Sequence, residues 1–197
     1  MRFVLGFILG LLVLPVVAWL YLKLGYAPVA TAAPPMPFET FLAHSALHAR
    51  VFKEAPRENN PVQGTEQNYM AGAKLYRENC SVCHGLPGQP KTAIANGMFP
   101  KPPQLFEGKG VTDDPAGETY WKIRNGIRLS GMPGYQNALT DGQMWQIAGL
   151  LANADKLPAS VQQELKRSDT VSPTGLAQGS APPANAASQK DVEEKSK

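Results

Sequence analysis

The clearest chemistry in the chain belongs to five consecutive residues, Cys80, Ser81, Val82, Cys83 and His84, which form a Cys-x-x-Cys-His sequence. Two thiols at this spacing can reach the two vinyl groups on one edge of a porphyrin, and the histidine that follows can bind the iron. Because Cys80 and Cys83 are the only cysteines in the sequence, two thioethers would use both thiols. The sequence therefore predicts one covalently bound haem c with His84 as its proximal iron ligand.

Two other chemistries use cysteines at this spacing. A redox-active dithiol lies between a strand and a helix, and no strand pattern flanks the cysteines here. A structural zinc site usually has four ligands, whereas Cys80, Cys83 and His84 supply three. His44 and His48 have the i, i+4 spacing of ligands on one helical face and would have to complete such a site. A pair of this kind is more often part of a solvated surface.

The N-terminal segment predicts where this chemistry takes place. Residues 3–22 are an uncharged run of 20 residues, which as a helix would match a bilayer core about 30 Å thick. The run is longer than the apolar stretch of a signal peptide, so residues 1–23 are predicted to be an uncleaved transmembrane anchor and not a leader cut near Ala32. Covalent haem attachment in bacteria occurs outside the cytoplasmic membrane. The chain is therefore expected to be single-pass in that membrane, with its haem domain on the periplasmic side.

The remaining chain divides by composition and periodicity. Residues 24–64 are predicted to be a tether rich in Pro and Ala, which could form a short helix at 38–52. Residues 65–158 show helical periodicity and are predicted to be the haem domain, and a capping box of Thr140 and Gln143 begins its last helix. Residues 159–197 contain no aromatic side chain and are predicted to be a mostly disordered tail, in which 159–167 could form one or two helical turns anchored by Val161 and Leu165.

The haem segment resembles the class I cytochromes c, small all-α domains wrapped around one haem, in three places. Gly72 and Tyr76 precede Cys80 by eight and four residues, where the family has the glycine and the aromatic residue that let its first helix cross its last one closely. The second place is the Cys-x-x-Cys-His sequence. The third is residues 131–135, Gly-Met-Pro-Gly-Tyr, which resemble the loop that carries the axial methionine. The resemblance implies that Met132 is the distal iron ligand.

The resemblance also leaves some positions open. It implies that a proline carbonyl accepts the ring N–H of His84, and Pro87 is the predicted source of that carbonyl. The last helix has Leu150 where the family commonly has an aromatic residue, and Trp145 is an alternative source of that bulk. Methionine is also a common core filler, and Met98, in a loop rich in proline, is the main alternative to Met132 as ligand.

The expected function follows from the ligands. A His/Met pair closes both axial positions, so substrate cannot bind the iron. We therefore predict a membrane-tethered electron carrier, not an enzyme, that passes single electrons between redox partner proteins outside the cytoplasmic membrane. The alternatives are a haem subunit of a larger membrane-associated dehydrogenase or oxidase complex, and a five-coordinate haem sensor.

The charge of the haem domain and the motifs of the sequence do not identify a particular partner. Residues 65–158 contain nine basic and eight acidic residues, so no strong field steers a charged partner to this domain. The sequence has no phosphate-binding glycine loop and no basic patch interleaved with aromatic residues. Nucleotides and nucleic acids are therefore not expected as partners.

Overall fold

The computed structural model describes residues 2–107 and 114–167 of the chain. Within these ranges the regular structure is helical, apart from an isolated antiparallel bridge between Ile127 and Met132. The helices are α1 (Arg2–Lys23), α2 (Glu39–Glu54), α3 (Glu66–Asn79), α4 (Ser81–His84), α5 (Ala93–Gly97), α6 (Ala116–Asn125), α7 (Asp141–Ala152) and α8 (Ala159–Lys166). The predicted all-α fold class is confirmed for this part of the chain.

Helices α3 and α7 cross closely, as the sequence predicted. The crossing lies at Gly72, where a Cβ atom would be 2.6 Å from the backbone oxygen of Gln146 and 3.3 Å from the Cβ of Leu150. No side chain larger than hydrogen fits between the two backbones at this point. Leu150 is fully buried at this crossing, so a leucine packs where the class I cytochromes c commonly have an aromatic residue.

The hydrophobic core is formed mainly by α7 and the faces of α3, α6 and α8 that pack against it. Trp145 of α7 stacks on Tyr120 of α6, with ring centroids 4.3 Å apart and planes inclined by 9°. Trp145 therefore packs on α6 and does not replace the missing aromatic at Leu150. This stacking fixes α6 against α7 and thereby the start of the loop that contains Met132.

Local sequence signals set the ends of α6 and α7. The predicted capping box is present, because the hydroxyl of Thr140 accepts from the Gln143 N–H at 3.3 Å and the Gln143 side chain accepts from the Thr140 N–H at 2.9 Å. Helix α6 ends at Gly126, whose φ of 68° favours glycine. Asp114, just before α6, pairs with Lys122 of that helix at 3.1 Å.

The C-terminal end of the compact unit differs from the predicted boundary at residue 158. Helix α8 packs on α3 and buries Val161 and Leu165. The guanidinium of Arg77, in α3, also donates to the backbone oxygen of Glu164 at 2.8 Å. Two apolar side chains in one helical turn, joined by this hydrogen bond, suffice to hold a short helix against a formed core. The rest of the predicted tail, residues 168–197, lies outside the described residues.

The predicted tether, residues 24–64, contains a helix that packs on the haem domain. Helix α2 packs on α6 through the buried Val51, while Phe41 and Phe52 are exposed. Beyond α2, the side-chain amide of Asn60 donates to the backbone oxygen of Trp145 at 3.0 Å. Residues from α2 onward are therefore attached to the haem domain, and the stretch between α1 and α2 is what remains as a connector.

The N-terminal helix α1 spans the predicted apolar segment, with Pro15 inside it. Among the residues that the structure describes, no helix is both long and apolar enough to cross a membrane. The transmembrane anchor predicted for residues 1–23 is thus not confirmed.

The close helix crossing yields a stability prediction. The change Gly72→Ala places a methyl group where the Gln146 carbonyl lies, so α3 and α7 must move apart, and we expect the free energy of unfolding to fall by about 1–3 kcal/mol. Chemical denaturation of the haem-loaded protein measures the change. Gly142→Ala is the control, because that glycine lies in α7 with nothing near its Cβ position, and it should leave stability equal or slightly higher. Equal effects of the two changes would contradict the close crossing.

Candidate haem site

Helix α3 delivers both cysteines at its C-terminal end. Cys80 caps the helix and donates its N–H to the Tyr76 carbonyl, and the next four residues form the single turn α4. Within this turn the N–H groups of Cys83 and His84 both donate to the Cys80 carbonyl, at 3.1 and 2.9 Å. The two free thiols and the imidazole therefore come from one tight turn, in which all three side chains are partly buried.

The His84 ring is held by a backbone carbonyl. Its Nδ1 lies 2.9 Å from the oxygen of Pro103. Because a carbonyl oxygen can only accept, Nδ1 carries the proton, and the lone pair of Nε2 is available for a metal. The acceptor is therefore Pro103, and the prediction that Pro87 supplies the carbonyl is wrong. Gly85, with φ 75°, turns the chain directly after His84, and the proline-rich loop brings Pro103 back to the ring.

Burial keeps the site neutral. Burial lowers the pKa of His84, and the hydrogen bond to Pro103 opposes this effect. Burial, together with the neighbouring Cys83, raises the pKa of Cys80 to about 12. A neutral imidazole and a protonated Cys80 thiol suit a pocket that must take up a large apolar ring.

Two tyrosine hydroxyls bracket the Cys-x-x-Cys-His turn. Tyr76 donates to the carbonyl of Gly85, directly after the turn, at 2.8 Å. Tyr135 donates to the carbonyl of Asn79, directly before the turn, at 2.7 Å. The backbone on both sides of the Cys-x-x-Cys-His turn is therefore fixed by side chains from other turns of the chain.

Tyr135 also places the loop of Met132 beside the cysteines. The hydroxyl of Tyr135 bonds to Asn79, the residue before Cys80, and burial raises the pKa of this phenol, with Cys80 and Cys83 adding to the effect. The backbone N–H of Tyr135 donates to the Ile123 carbonyl at 2.9 Å, which attaches the same loop to α6. The structure thus brings the predicted distal-ligand loop to the cysteine turn, although the two are far apart in sequence.

The loop of Met132 is closed by its own hydrogen bonds. Ile127 donates its N–H to the Met132 carbonyl at 3.1 Å, and Met132 donates its N–H to the hydroxyl of Ser130 at 3.2 Å. Gly131 has a φ of 79°, and Leu129 also has a left-handed backbone, with φ 62°. A second thioether approaches this loop, because the Cε of Met98 lies 2.7 Å from the position that a Cβ of Gly131 would take.

The donor set fits a covalent haem better than a zinc ion. In the part of the chain that the structure describes, no three His, Cys, Asp or Glu side chains are grouped to hold a metal ion, so His44 and His48 do not complete a zinc site. Two adjacent thiols, an imidazole with a free Nε2 and a nearby thioether loop are what haem c requires. Gln104, next to Pro103, adds a buried Nε2 with no partner among the described residues, so the proximal side keeps a free hydrogen-bond donor.

Sequence reasoning missed three members of this site. Pro103, Tyr135 and Asn79 make the bonds that orient the histidine and fix the cysteine turn. The Pro-Pro pair at 102–103 and the tyrosine after Gly-Met-Pro-Gly were visible as unusual residues. The pairs that these residues form were not visible, because a backbone carbonyl that accepts a hydrogen bond leaves no signature in the sequence.

Comparisons with known proteins found one family model and a structure that are similar to part of this chain. Residues 67–151 match the family model described as cytochrome C oxidase, cbb3-type, subunit III. A chain of the Kuenenia stuttgartiensis reducing HAO-like protein complex is similar in structure, with a TM-score of 0.42 and 25% sequence identity. The match covers 50% of each chain, so this protein spans about half the length of that one. No curated protein matches the sequence.

The tyrosine bracket yields a prediction. The change Tyr76→Phe leaves the buried carbonyl of Gly85 without its donor, so we expect the free energy of unfolding to fall by about 1–3 kcal/mol. Denaturant unfolding of the haem-loaded protein measures this. Tyr69→Phe makes the same chemical change on the same helix, where the hydroxyl has no hydrogen-bond partner among the described residues, and should stay within about 0.5 kcal/mol of wild type. A Tyr76→Phe protein as stable as the control would argue against the bracket.

Proposed function

We propose that the protein passes single electrons between redox partner proteins by means of one covalently bound haem c. The proposal rests on residues 67–151, which match a family model for a c-type cytochrome domain. Cys80 and Cys83 are the covalent anchors, His84 is the proximal iron ligand and Met132 the distal one. The bound haem supplies the one-electron couple of its iron. The domain supplies the ligands, their orientation and a pocket that keeps water from the ring.

The observation that carries this proposal is the position of the Met132 loop. Its Tyr135 hydrogen-bonds the residue before Cys80, so a thioether loop lies beside the turn that holds both thiols and the imidazole. Met132 and His84 would hold the iron of a bound haem, and with both of them as ligands no position would be left for a substrate. The chemistry that the group would then supply is the transfer of single electrons.

Ligand orientation supports the same role. The hydrogen bond from His84 to Pro103 fixes the ring and raises the basicity of its Nε2. Main-chain carbonyls do not titrate, so this support is the same at every physiological pH. A histidine held in this way would keep its orientation when a bound haem gains or loses an electron.

A second candidate is favoured by the family description. The matching model is described as a subunit of an oxidase, so we also propose that the haem domain can serve as the electron-transfer subunit of a larger dehydrogenase or oxidase complex. A partner that stays bound through purification in mild detergent supports this role. A solitary monomer supports the mobile carrier.

We further propose that the N-terminal segment holds the haem domain at the outer, periplasmic face of the cytoplasmic membrane. The support comes from the sequence, because residues 3–22 are uncharged, and from α1, whose large apolar side chains such as Phe3 and Leu14 are exposed. Exposed apolar side chains in such number favour a lipid environment.

The membrane proposal predicts how the chain fractionates. The wild type should remain in the membrane pellet after carbonate extraction. The double change Leu11→Lys, Leu14→Lys should release it, because each lysine at the centre of a membrane helix costs about 2.5–3.5 kcal/mol. Val29→Lys, at an exposed position between α1 and α2, is the control and should stay in the pellet. A wild type found in the carbonate supernatant would exclude the anchor.

The closed iron predicts the response to carbon monoxide. The reduced wild-type protein should ignore the gas, and Met132→Ala should bind it, because the substitution opens the distal position. Absorption spectra with and without carbon monoxide measure both. Met36→Ala, an exposed methionine before α2, is the matched control and should behave as wild type. If the wild type itself binds the gas readily, the five-coordinate sensor replaces the electron carrier.

A further inference from the structure

We propose that Met98 is a positioning residue for the distal ligand Met132 and acts through Gly131. The inference rests on the proposed role of Met132 and adds a residue from another part of the chain to it. Met98 lies in the proline-rich segment after α5, which is also the segment that holds the proximal His84 through Pro103. One loop would then support both axial ligands.

The contact between Met98 and Gly131 is close and specific. A Cβ on Gly131 would lie 2.7 Å from the Cε of Met98, so the methyl group occupies the place that a side chain would need. The φ of 79° at Gly131 also favours glycine. The residue directly before the distal ligand is therefore shaped by the methionine that packs on it.

The two halves of the Met132 loop are held differently. The C-terminal half is fixed by Tyr135, whose N–H and hydroxyl bond to α6 and to the end of α3, and by Gly126, where a Cβ would lie 2.5 Å from the Gly134 nitrogen. The N-terminal half has hydrogen bonds within the loop, and Leu129 at its tip is 92% exposed. On this half, Met98 supplies a contact from a distant part of the chain.

A methionine suits this task because it is long, unbranched and polarizable. Its partly buried side chain packs against the backbone of Gly131 and fills the space beside it. Without this packing the tip of the loop is free to swing, and Met132 leaves the iron more often. A ligand that binds only the open iron then binds more tightly, because its apparent affinity scales with the open fraction.

The test uses the haem-loaded full chain and carbon monoxide as the probe. We expect Met98→Ala to raise the carbon monoxide affinity of the reduced protein by roughly tenfold, as the open fraction grows by the same factor. It should also weaken the methionine-to-iron charge-transfer band of the oxidised protein. Met98→Leu restores most of the volume and should lie near wild type. Leu129→Ala, a change at the exposed tip of the same loop, should leave both readouts unchanged.

A double substitution tests the route through Gly131. Gly131→Ala should raise carbon monoxide affinity strongly in the wild-type background, because the new methyl group meets Met98. In the Met98→Ala background that collision is gone, and the factor should be smaller, while the backbone strain at φ 79° is common to both backgrounds. Equal factors in both backgrounds would overturn the proposal, as would a Met98→Ala protein with wild-type affinity.

The remaining outcomes separate this inference from the proposed function. If Met132→Ala stays closed to carbon monoxide and opens only when Met98→Ala is added, Met98 is itself a ligand, and the positioning role is overturned. If the wild type already binds the gas, the closed iron fails, and the positioning role fails with it. If Met132→Ala alone opens the iron and Met98→Ala loosens it, both proposals stand.

Discussion

The close approach of α3 and α7 at Gly72 is the constraint on which the rest of the domain depends. With the two backbones this near, Tyr76 and Leu150 are buried in one interface, and the end of α3 is fixed in space. That end carries Cys80 and the turn that follows. Helices α6 and α8 then pack on faces that the crossing has already defined. The position of Cys80 is therefore set by a backbone contact about two helical turns before it.

Main-chain carbonyls organise the site more than charged side chains do. Pro103 orients the histidine, and the carbonyls of Asn79 and Gly85 receive the two tyrosine hydroxyls on either side of the cysteine turn. Such bonds hold a geometry without adding formal charge to a buried pocket. A charged partner at these positions would have to be desolvated and would change its protonation with the iron's oxidation state. A site held by uncharged carbonyls would keep its geometry when the oxidation state changes, which suits an electron carrier.

The segment before the haem domain limits how far the domain could move from a membrane anchor. Val51 packs α2 on α6, and Asn60 bonds to α7, so these residues move with the domain. If the chain is anchored as proposed, its freedom comes from the residues between α1 and α2, which are rich in Pro and Ala. A short, stiff connector of this composition keeps the effective concentration at membrane partners high.

The sequence by itself determined features that depend on neighbours along the chain. It predicted the helical class and the capping box of Thr140, and it contained the Cys-x-x-Cys-His spacing, because propensity, caps and covalent spacing are local. Only the tertiary structure decided that Pro103 and not Pro87 accepts from His84, that α8 packs on Arg77, and that Met98 meets Gly131. The His84 and Arg77 contacts join residues 19 and 87 positions apart, and the path of the loops between them follows from packing of the whole core. No local pattern encodes such a path.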